Sequence, residues 1–190
     1  MAVDKGKYED IINELKQNNV QLVAVSKTKT VEEIKEAYDL GQRDFGENYV
    51  QELIDKQNLL PHDIRWHFIG HLQTNKVKYI ASFVHLIQSV DSIKLLKEIN
   101  KQGEKNNRII NVLLQVHIAQ EETKFGVNEE KLNLLINELE NFKLENTSIV
   151  GLMGMASLTE NTEQVRKEFR YLKRIFDKHT KLQPTNYLLT

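Results

Sequence analysis

The sequence contains no cysteine. This absence excludes disulfide bonds, thiolate metal ligands and cysteine nucleophiles together. It is also typical of proteins that work in a reducing compartment, where disulfides do not persist. We therefore expect a cytoplasmic protein whose stability comes from a packed core.

Proline, long apolar runs and an excess of either charge are lacking as well. The two prolines, Pro61 and Pro184, fall between predicted elements and mark no linker. No apolar run is long enough to span a bilayer, and the first ten residues lack the apolar core of a signal peptide. The 26 Lys and Arg residues balance 27 Asp and Glu residues. We therefore expect neither a membrane nor a nucleic acid as a partner.

What the sequence does contain is a regular alternation of strand and helix patterns. Its 190 residues suit one domain, which at this size buries about 70% of its unfolded surface. Thr30 and Glu33 form a capping-box pattern at the start of one helix, and Gly41 ends it. Short apolar runs predict seven strands, at residues 22–27, 43–46, 65–69, 84–88, 109–116, 148–153 and 186–189.

This alternation predicts an α/β fold with parallel strands, either an open doubly wound sheet or a closed barrel. No GxGxxG pattern follows the first strand, which disfavours a dinucleotide-binding sheet. A TIM barrel needs eight units and about 200 residues, whereas this sequence ends at Thr190 inside its seventh strand. We predict a single domain over residues 1–190, of (β/α)8 TIM-barrel type and truncated within the seventh strand.

Functional side chains of such barrels gather where the strands end, and the first strand ends in LVAVSK at Lys27. Apolar surroundings disfavour the charged form of a lysine, which can then act as a Schiff-base nucleophile. A purely structural alternative is that Lys27 ends the strand and points into water.

Two further candidates follow from the same rule. Asn48 comes directly after the second strand, where it is either a site residue or the N-cap of the next helix with Gln51 at N3. His67 lies between Trp66 and Phe68 and so faces the side of its strand opposite to theirs. It is either a site residue or a core histidine with satisfied hydrogen bonds, and alternation does not show which side is the barrel interior.

Five segments carry a resemblance to a known family: AVSKTKTVEEI, GQRDFGENYVQE, IRWHFIGHLQTNK, EETKFGV and GLMGM, in this order. Together they resemble the small pyridoxal 5′-phosphate (PLP) homeostasis proteins, which are similar in fold to the N-terminal barrel of alanine racemase. The resemblance implies a barrel in which Lys27 forms the internal aldimine with PLP. It also implies that Asn48 and His67 lie beside the cofactor pocket. The resemblance implies neither a metal site nor catalytic residues in this protein.

The function implied is that of a non-catalytic PLP-binding protein, which limits the free aldehyde and supplies the cofactor to PLP enzymes through transient contacts. The alternative is a PLP-dependent amino-acid racemase, because the same aldimine could exchange with a substrate amine. Racemisation needs acid and base groups on both faces of the substrate carbon. In the resembling racemases one of these is a tyrosine from a second domain, which we do not expect here.

The sequence also departs from the family. The resemblance leads us to expect a serine and glycine motif after the seventh strand and an arginine and glycine motif on the eighth, which together hold the phosphate. Neither precedes Thr190, where the sequence ends. We therefore expect the covalent anchor without its main phosphate cup.

Overall fold

The computed structural model describes residues 3–121, 123–179 and 188–189. Its strands form one sheet in the order β1 to β7, and each neighbouring pair is parallel. The strands are β1 (Ala24–Val25), β2 (Asp44–Glu47), β3 (Arg65–Phe68), β4 (Leu86–Val90), β5 (Ile110–Val116), β6 (Thr147–Gly154) and β7 (Leu188–Leu189).

This strand order decides between the two predicted architectures. A doubly wound sheet reverses its strand order partway, whereas strands of a TIM barrel follow one another in sequence. The parallel α/β fold of TIM-barrel type is therefore confirmed. A strand is found at each of the seven predicted places. The predicted strand 22–27 is only Ala24–Val25, so Lys27 lies in the turn after β1 and not at the strand end itself. Strand β4 extends to Val90, two residues beyond the predicted end. Pro184 and the first part of the predicted seventh strand lie outside the described residues.

The connecting helices are α1 (Lys5–Gln17), α2 (Val31–Asp39), α3 (Val50–Leu59), α4 (Val77–Ile80), α5 (Ile93–Lys105), α6 (Glu129–Glu140) and α7 (Thr162–His179). The predicted capping box starts α2: Glu33 N donates to Thr30 Oγ1 and Thr30 N donates to a Glu33 carboxylate oxygen. Gly41 follows α2 with a φ of 102°, a value that glycine adopts without strain. None of the described helices is long and apolar enough to cross a bilayer.

Side-chain alternation along the strands creates two separate cores. On the outer face Phe45 and Trp66 pack with ring centroids 6.0 Å apart, in a large cluster with Leu53 of α3. On the inner face Leu86, Leu113 and Met153 form a small second cluster. Residues that precede or follow the outer-face aromatics therefore point to the interior of the sheet.

Strand β1 lies at one edge of this sheet. Among the described strands it pairs only with β2, through Ala24 with Phe45 and Val25 with Gly46. As a result Val25 is 54% exposed, although it belongs to an apolar strand. The strand that precedes Lys27 is therefore open to solvent on one side.

We predict that a methyl group at Gly103 destabilises the fold. A Cβ there would lie 2.5 Å from the carbonyl oxygen of Asn146, where α5 packs against the start of β6. Gly103→Ala should lower the free energy of unfolding by about 1–3 kcal/mol in urea titrations. Gly6→Ala is the control, because that Cβ meets only Asp4 Oδ1 at 3.6 Å and should stabilise α1 by up to about 1 kcal/mol. Equal effects of the two substitutions would contradict the packing argument.

Candidate functional site

Lys27 follows β1 at the carboxyl end of the sheet and is exposed. The expectation that apolar surroundings enclose it is therefore wrong in this structure, because β1 is an edge strand without a described neighbour on its other side. The main chain around Lys27 is nevertheless well held. Ser26 N donates to Gly46 O at 2.9 Å, and Lys29 N donates to Ser26 O at 3.0 Å.

Asn48 follows β2, the strand next to β1. The N-cap of α3 is Tyr49, and no side chain caps this helix, so the capping explanation for Asn48 is wrong. Its Oδ1 is instead buried without a hydrogen-bond partner. A buried amide oxygen without a partner is costly, which marks Asn48 as a group whose partner is not among the described residues.

Gly70 keeps the main chain of Asn48 in place from the neighbouring strand connection. A Cβ on Gly70 would collide with the Asn48 carbonyl oxygen and lie 2.7 Å from its Cα. Only glycine allows the segment after β3 to approach Asn48 so closely. Gly70 belongs to the WHFIG segment singled out in the sequence, but its role there could not be inferred from spacing.

His67 is buried on the interior face of β3 and pairs in register with Gly46 of β2. Its Nε2 lies 3.0 Å from Asp44 Oδ1, and its Nδ1 lies 2.9 Å from Gln88 Nε2. Because the Gln88 amide donates to Nδ1, the proton of the ring is on Nε2 and is donated to Asp44. His67 therefore has satisfied hydrogen bonds on both nitrogens, as the structural alternative predicted.

Asp44 also forms an ion pair with Arg65, which completes a buried polar cluster at the amino end of β2 and β3. Burial would raise the pKa of Asp44, but hydrogen bonds from His67, Arg65 and Gln21 outweigh it and hold that pKa well below its usual range. His85 adds a third possible metal ligand beside Asp44 and His67. The Arg65 guanidinium occupies the same carboxylate, and its charge opposes a cation there.

The register thus places Lys27 and Asn48 after the ends of two adjacent strands, and His67 one layer before them. Val25, Gly46 and His67 are level across three strands, and Lys27 and Asn48 each come two residues later. Two strand residues correspond to about 7 Å along the strand. His67 therefore lies one interior layer below the strand ends, and no hydrogen bond joins it to Lys27 or Asn48 in the described part of the chain.

The sequence did not predict a buried ionic cluster of Glu47, Glu52 and Lys56, which contacts the residues on either side of Lys27. Lys56 Nζ, on α3, donates to Glu47 Oε1 at 2.7 Å, to Glu52 Oε1 at 2.6 Å and to the carbonyl oxygen of Ser26 at 2.6 Å. The i, i+4 spacing of Glu52 and Lys56 on a predicted helix was visible in the sequence. That spacing alone indicates an exposed surface pair, not a buried cluster.

We predict that Asp44→Asn lowers the free energy of unfolding at pH 7 by about 1–3 kcal/mol, because the buried side chain would lose its charge-assisted hydrogen bonds with Arg65 and His67. The folded-state pKa of Asp44 is lowered, so its stabilisation is complete above about pH 4 and is lost as the pH falls below that value. The difference from the wild type should shrink by about 1.4 kcal/mol per pH unit there. Urea titrations at several pH values measure it, with exposed Asp10→Asn as the control. A difference independent of pH would refute this account of Asp44.

Comparison with known proteins agrees with this geometry. The family model for the alanine racemase N-terminal domain matches residues 5–188. A pyridoxal phosphate homeostasis protein of Aquifex aeolicus is 43% identical over 162 residues, which cover 85% of this chain and 70% of the relative. The human protein of the same name is 38% identical over 154 residues, covering 76% of this chain and 55% of the relative.

Solved structures show the same relationship. PipY of Synechococcus elongatus, described with PLP bound, superposes with a TM-score of 0.81 at 32% identity, covering 94% of this chain and 85% of PipY. Alanine racemase of Streptomyces coelicolor superposes with a TM-score of 0.66 at 14% identity, covering 88% of this chain and 47% of the racemase. The second likeness shows the shared fold alone. The chain therefore belongs to the alanine racemase N-terminal domain family and, within it, to the pyridoxal phosphate homeostasis proteins.

Proposed function

We propose that this protein binds PLP through Lys27 and holds it without catalysing a reaction of amino acids. The observation that carries the proposal is the pairing of an exposed lysine with a buried, unpartnered amide oxygen on the adjacent strand. PLP offers an aldehyde for the first group and ring substituents with polar hydrogens for the second. The relative PipY, described with PLP bound, supports PLP as the ligand.

The covalent step needs only the groups named. The uncharged Nζ of Lys27 adds to the aldehyde carbon of PLP, and loss of one water molecule leaves a carbon–nitrogen double bond. Solvent exposure of Lys27 lets the cofactor approach and lets the water leave. Bound PLP would supply a conjugated ring that absorbs visible light, which makes the bond easy to detect.

Other lysines near β1 are poorer candidates for this bond. Lys56 is buried, and its ammonium already donates to three oxygens. Lys29, in the turn before α2, pairs its Nζ with Glu33 Oε1 of that helix at 3.4 Å. Lys27 forms no hydrogen bond or ion pair with the described residues, so its amine is available to react.

His67 belongs to this proposal as a support and not as a direct contact. Its ring fixes Asp44 and Gln88 in the layer below the strand ends. That layer lies directly below the positions of Lys27 and Asn48 on the interior face of the sheet. We therefore propose that His67 shapes the pocket by fixing its neighbours. The residues at the strand ends, Lys27 and Asn48, would contact the cofactor.

A holding role fits the site better than racemisation does. The two carboxylates that hydrogen-bond to the residues flanking Lys27 are engaged elsewhere: Glu47 and Glu52 both bind Lys56. No described acid or base is hydrogen-bonded to Lys27 to move a proton on either face of a substrate carbon. By binding the free aldehyde reversibly in the cytoplasm, the protein would limit its reactions and pass it to PLP enzymes in transient contacts.

We predict that borohydride reduction in the presence of PLP labels Lys27. Reduction converts the carbon–nitrogen double bond into a stable amine, and peptide mass spectrometry locates it. Lys27→Arg should abolish the label and the visible absorption band, because a guanidinium is too weak a nucleophile. Lys29→Arg is the control and should retain both. A label mainly on Lys29, Lys76 or Lys124 would refute the assignment.

We also predict no enzyme-like exchange of substrate protons. The PLP-loaded protein, incubated with a panel of L-amino acids in deuterated water, should exchange the α-proton no faster than free PLP does. Proton nuclear magnetic resonance measures this exchange, and it is a sensitive test because exchange needs only half of a racemisation. Free PLP with a denatured sample of the protein is the control. Rapid exchange that depends on the folded protein would favour the racemase alternative.

A further inference from the structure

Lys27 occupies the second position of a tight turn that spans Ser26 to Lys29. The turn is closed by the bond from Lys29 N to Ser26 O at 3.0 Å. Its third residue, Thr28, has a φ of 63°. Turns with a positive φ at this position normally use glycine or asparagine, because a side chain branched at Cβ is strained there. A strained threonine directly after the proposed reactive lysine calls for a physical explanation.

The buried cluster behind the turn supplies the contacts that hold this conformation. Lys56 Nζ donates to Ser26 O, at the start of the turn, over 2.6 Å. Thr28 N donates to Glu52 Oε1 over 2.6 Å, and the same oxygen accepts a hydrogen bond from Lys56. The Lys56 ammonium therefore holds the main chain on both sides of Lys27. It binds the carbonyl oxygen of Ser26 directly, and it holds the amide of Thr28 through the Glu52 carboxylate.

Glu47 fixes the position of Lys56 from the opposite side. Its carboxylate is fully buried, and Oε1 accepts hydrogen bonds from Lys56 Nζ at 2.7 Å and from Ser26 Oγ at 2.7 Å. The Lys56 ammonium is buried too, and its three donors all have acceptors. Among the described residues Glu47 Oε2 is buried without a hydrogen-bond partner, so this carboxylate is held through Oε1 alone. Moving the Lys56 ammonium would leave the Glu47 charge unpaired in a medium of low dielectric, and the pair therefore resists displacement.

We propose that Lys56, with Glu47 and Glu52, is a positioning residue for Lys27. The cluster holds the strained turn so that the Lys27 backbone starts from one fixed place and direction, while the Lys27 side chain stays free to react. Lys56 does not contact the cofactor in this account. The inference rests on the proposed function, since it assigns the cluster a purpose in forming the bond between Lys27 and PLP.

The test compares covalent and non-covalent binding in the full chain. Lys56→Met and Glu52→Ala remove the two contacts with the turn. Each should weaken formation of the trappable bond between Lys27 and PLP by about tenfold or more, because a displaced nucleophile reacts poorly. Pyridoxine 5′-phosphate has the same ring and phosphate but an alcohol in place of the aldehyde. Its affinity should stay within about twofold of the wild type, since it does not need the Lys27 amine.

A matched control and a rescue separate positioning from a general loss of structure. Asp55→Ala, on the exposed side of the same helix, removes a carboxylate that accepts a hydrogen bond from Gln51 and should change neither measurement. Thr28→Gly, added to Glu52→Ala, relieves the strain at the positive φ. This double variant should recover a large part of the covalent binding.

Each result decides the proposal. Unchanged covalent binding in both variants would overturn it, and so would an equal loss of both ligands without rescue by glycine. If Lys56→Met does not fold, Glu52→Ala and its rescue decide in the same way, because Glu52 is partly exposed.

The failure of the proposed function would look different. A wild-type chain that gives no label at Lys27 refutes covalent PLP binding, whatever the variants do. In that case the rate of hydrogen exchange of the Thr28 amide tests whether the cluster of Glu47, Glu52 and Lys56 fixes the turn. An amide that is protected from exchange in the wild type but not in Glu52→Ala would support positioning of the turn by the cluster. An unprotected Thr28 amide in the wild type would overturn it.

Discussion

Parallel pairing of neighbouring strands, in the order of the sequence, is the constraint on which this structure depends. It places every strand with its carboxyl end at the same edge of the sheet. Side chains then alternate between a face covered by helices and an interior face. On β2, for example, Phe45 and Glu47 point to the helices, whereas Asp44 and Gly46 point inward. The positions of Lys27 and Asn48 at adjacent strand ends follow from the same pairing.

Strand β2 carries a buried carboxylate on each of its two faces. On the inner face Asp44 binds Arg65 and His67, and on the outer face Glu47 binds Lys56 and Ser26. Pairs of this kind contribute little net stability compared with apolar residues of the same size, but removal of one member is strongly destabilising. We interpret both as devices that fix the local geometry. The first holds the interior layer around His67, and the second holds the turn that carries Lys27.

The proposed site therefore combines an exposed amine with a main chain held by buried contacts. The Lys27 side chain is exposed, while the main chain on either side of it and the Asn48 backbone are held by buried contacts. A protein that holds and releases an aldehyde needs both properties. Access allows exchange with solvent or with another protein, and a fixed attachment point limits how the ring can lie.

The sequence by itself determined the strands, their parallel pairing, the capping box at Thr30 and the identity of Lys27 as the lysine at the end of the first strand. These depend on local periodicity and on short motifs, which are properties of neighbouring residues. It did not show the surroundings of His67, Asn48 and Lys27, which only the tertiary structure revealed. His67 is a satisfied interior histidine, Asn48 is not a helix cap, and Lys27 is exposed because β1 is an edge strand among the described residues. The cluster of Glu47, Glu52 and Lys56 lay beyond sequence reasoning, because burial and contact with residues 26 and 28 arise only when α3 packs against the sheet.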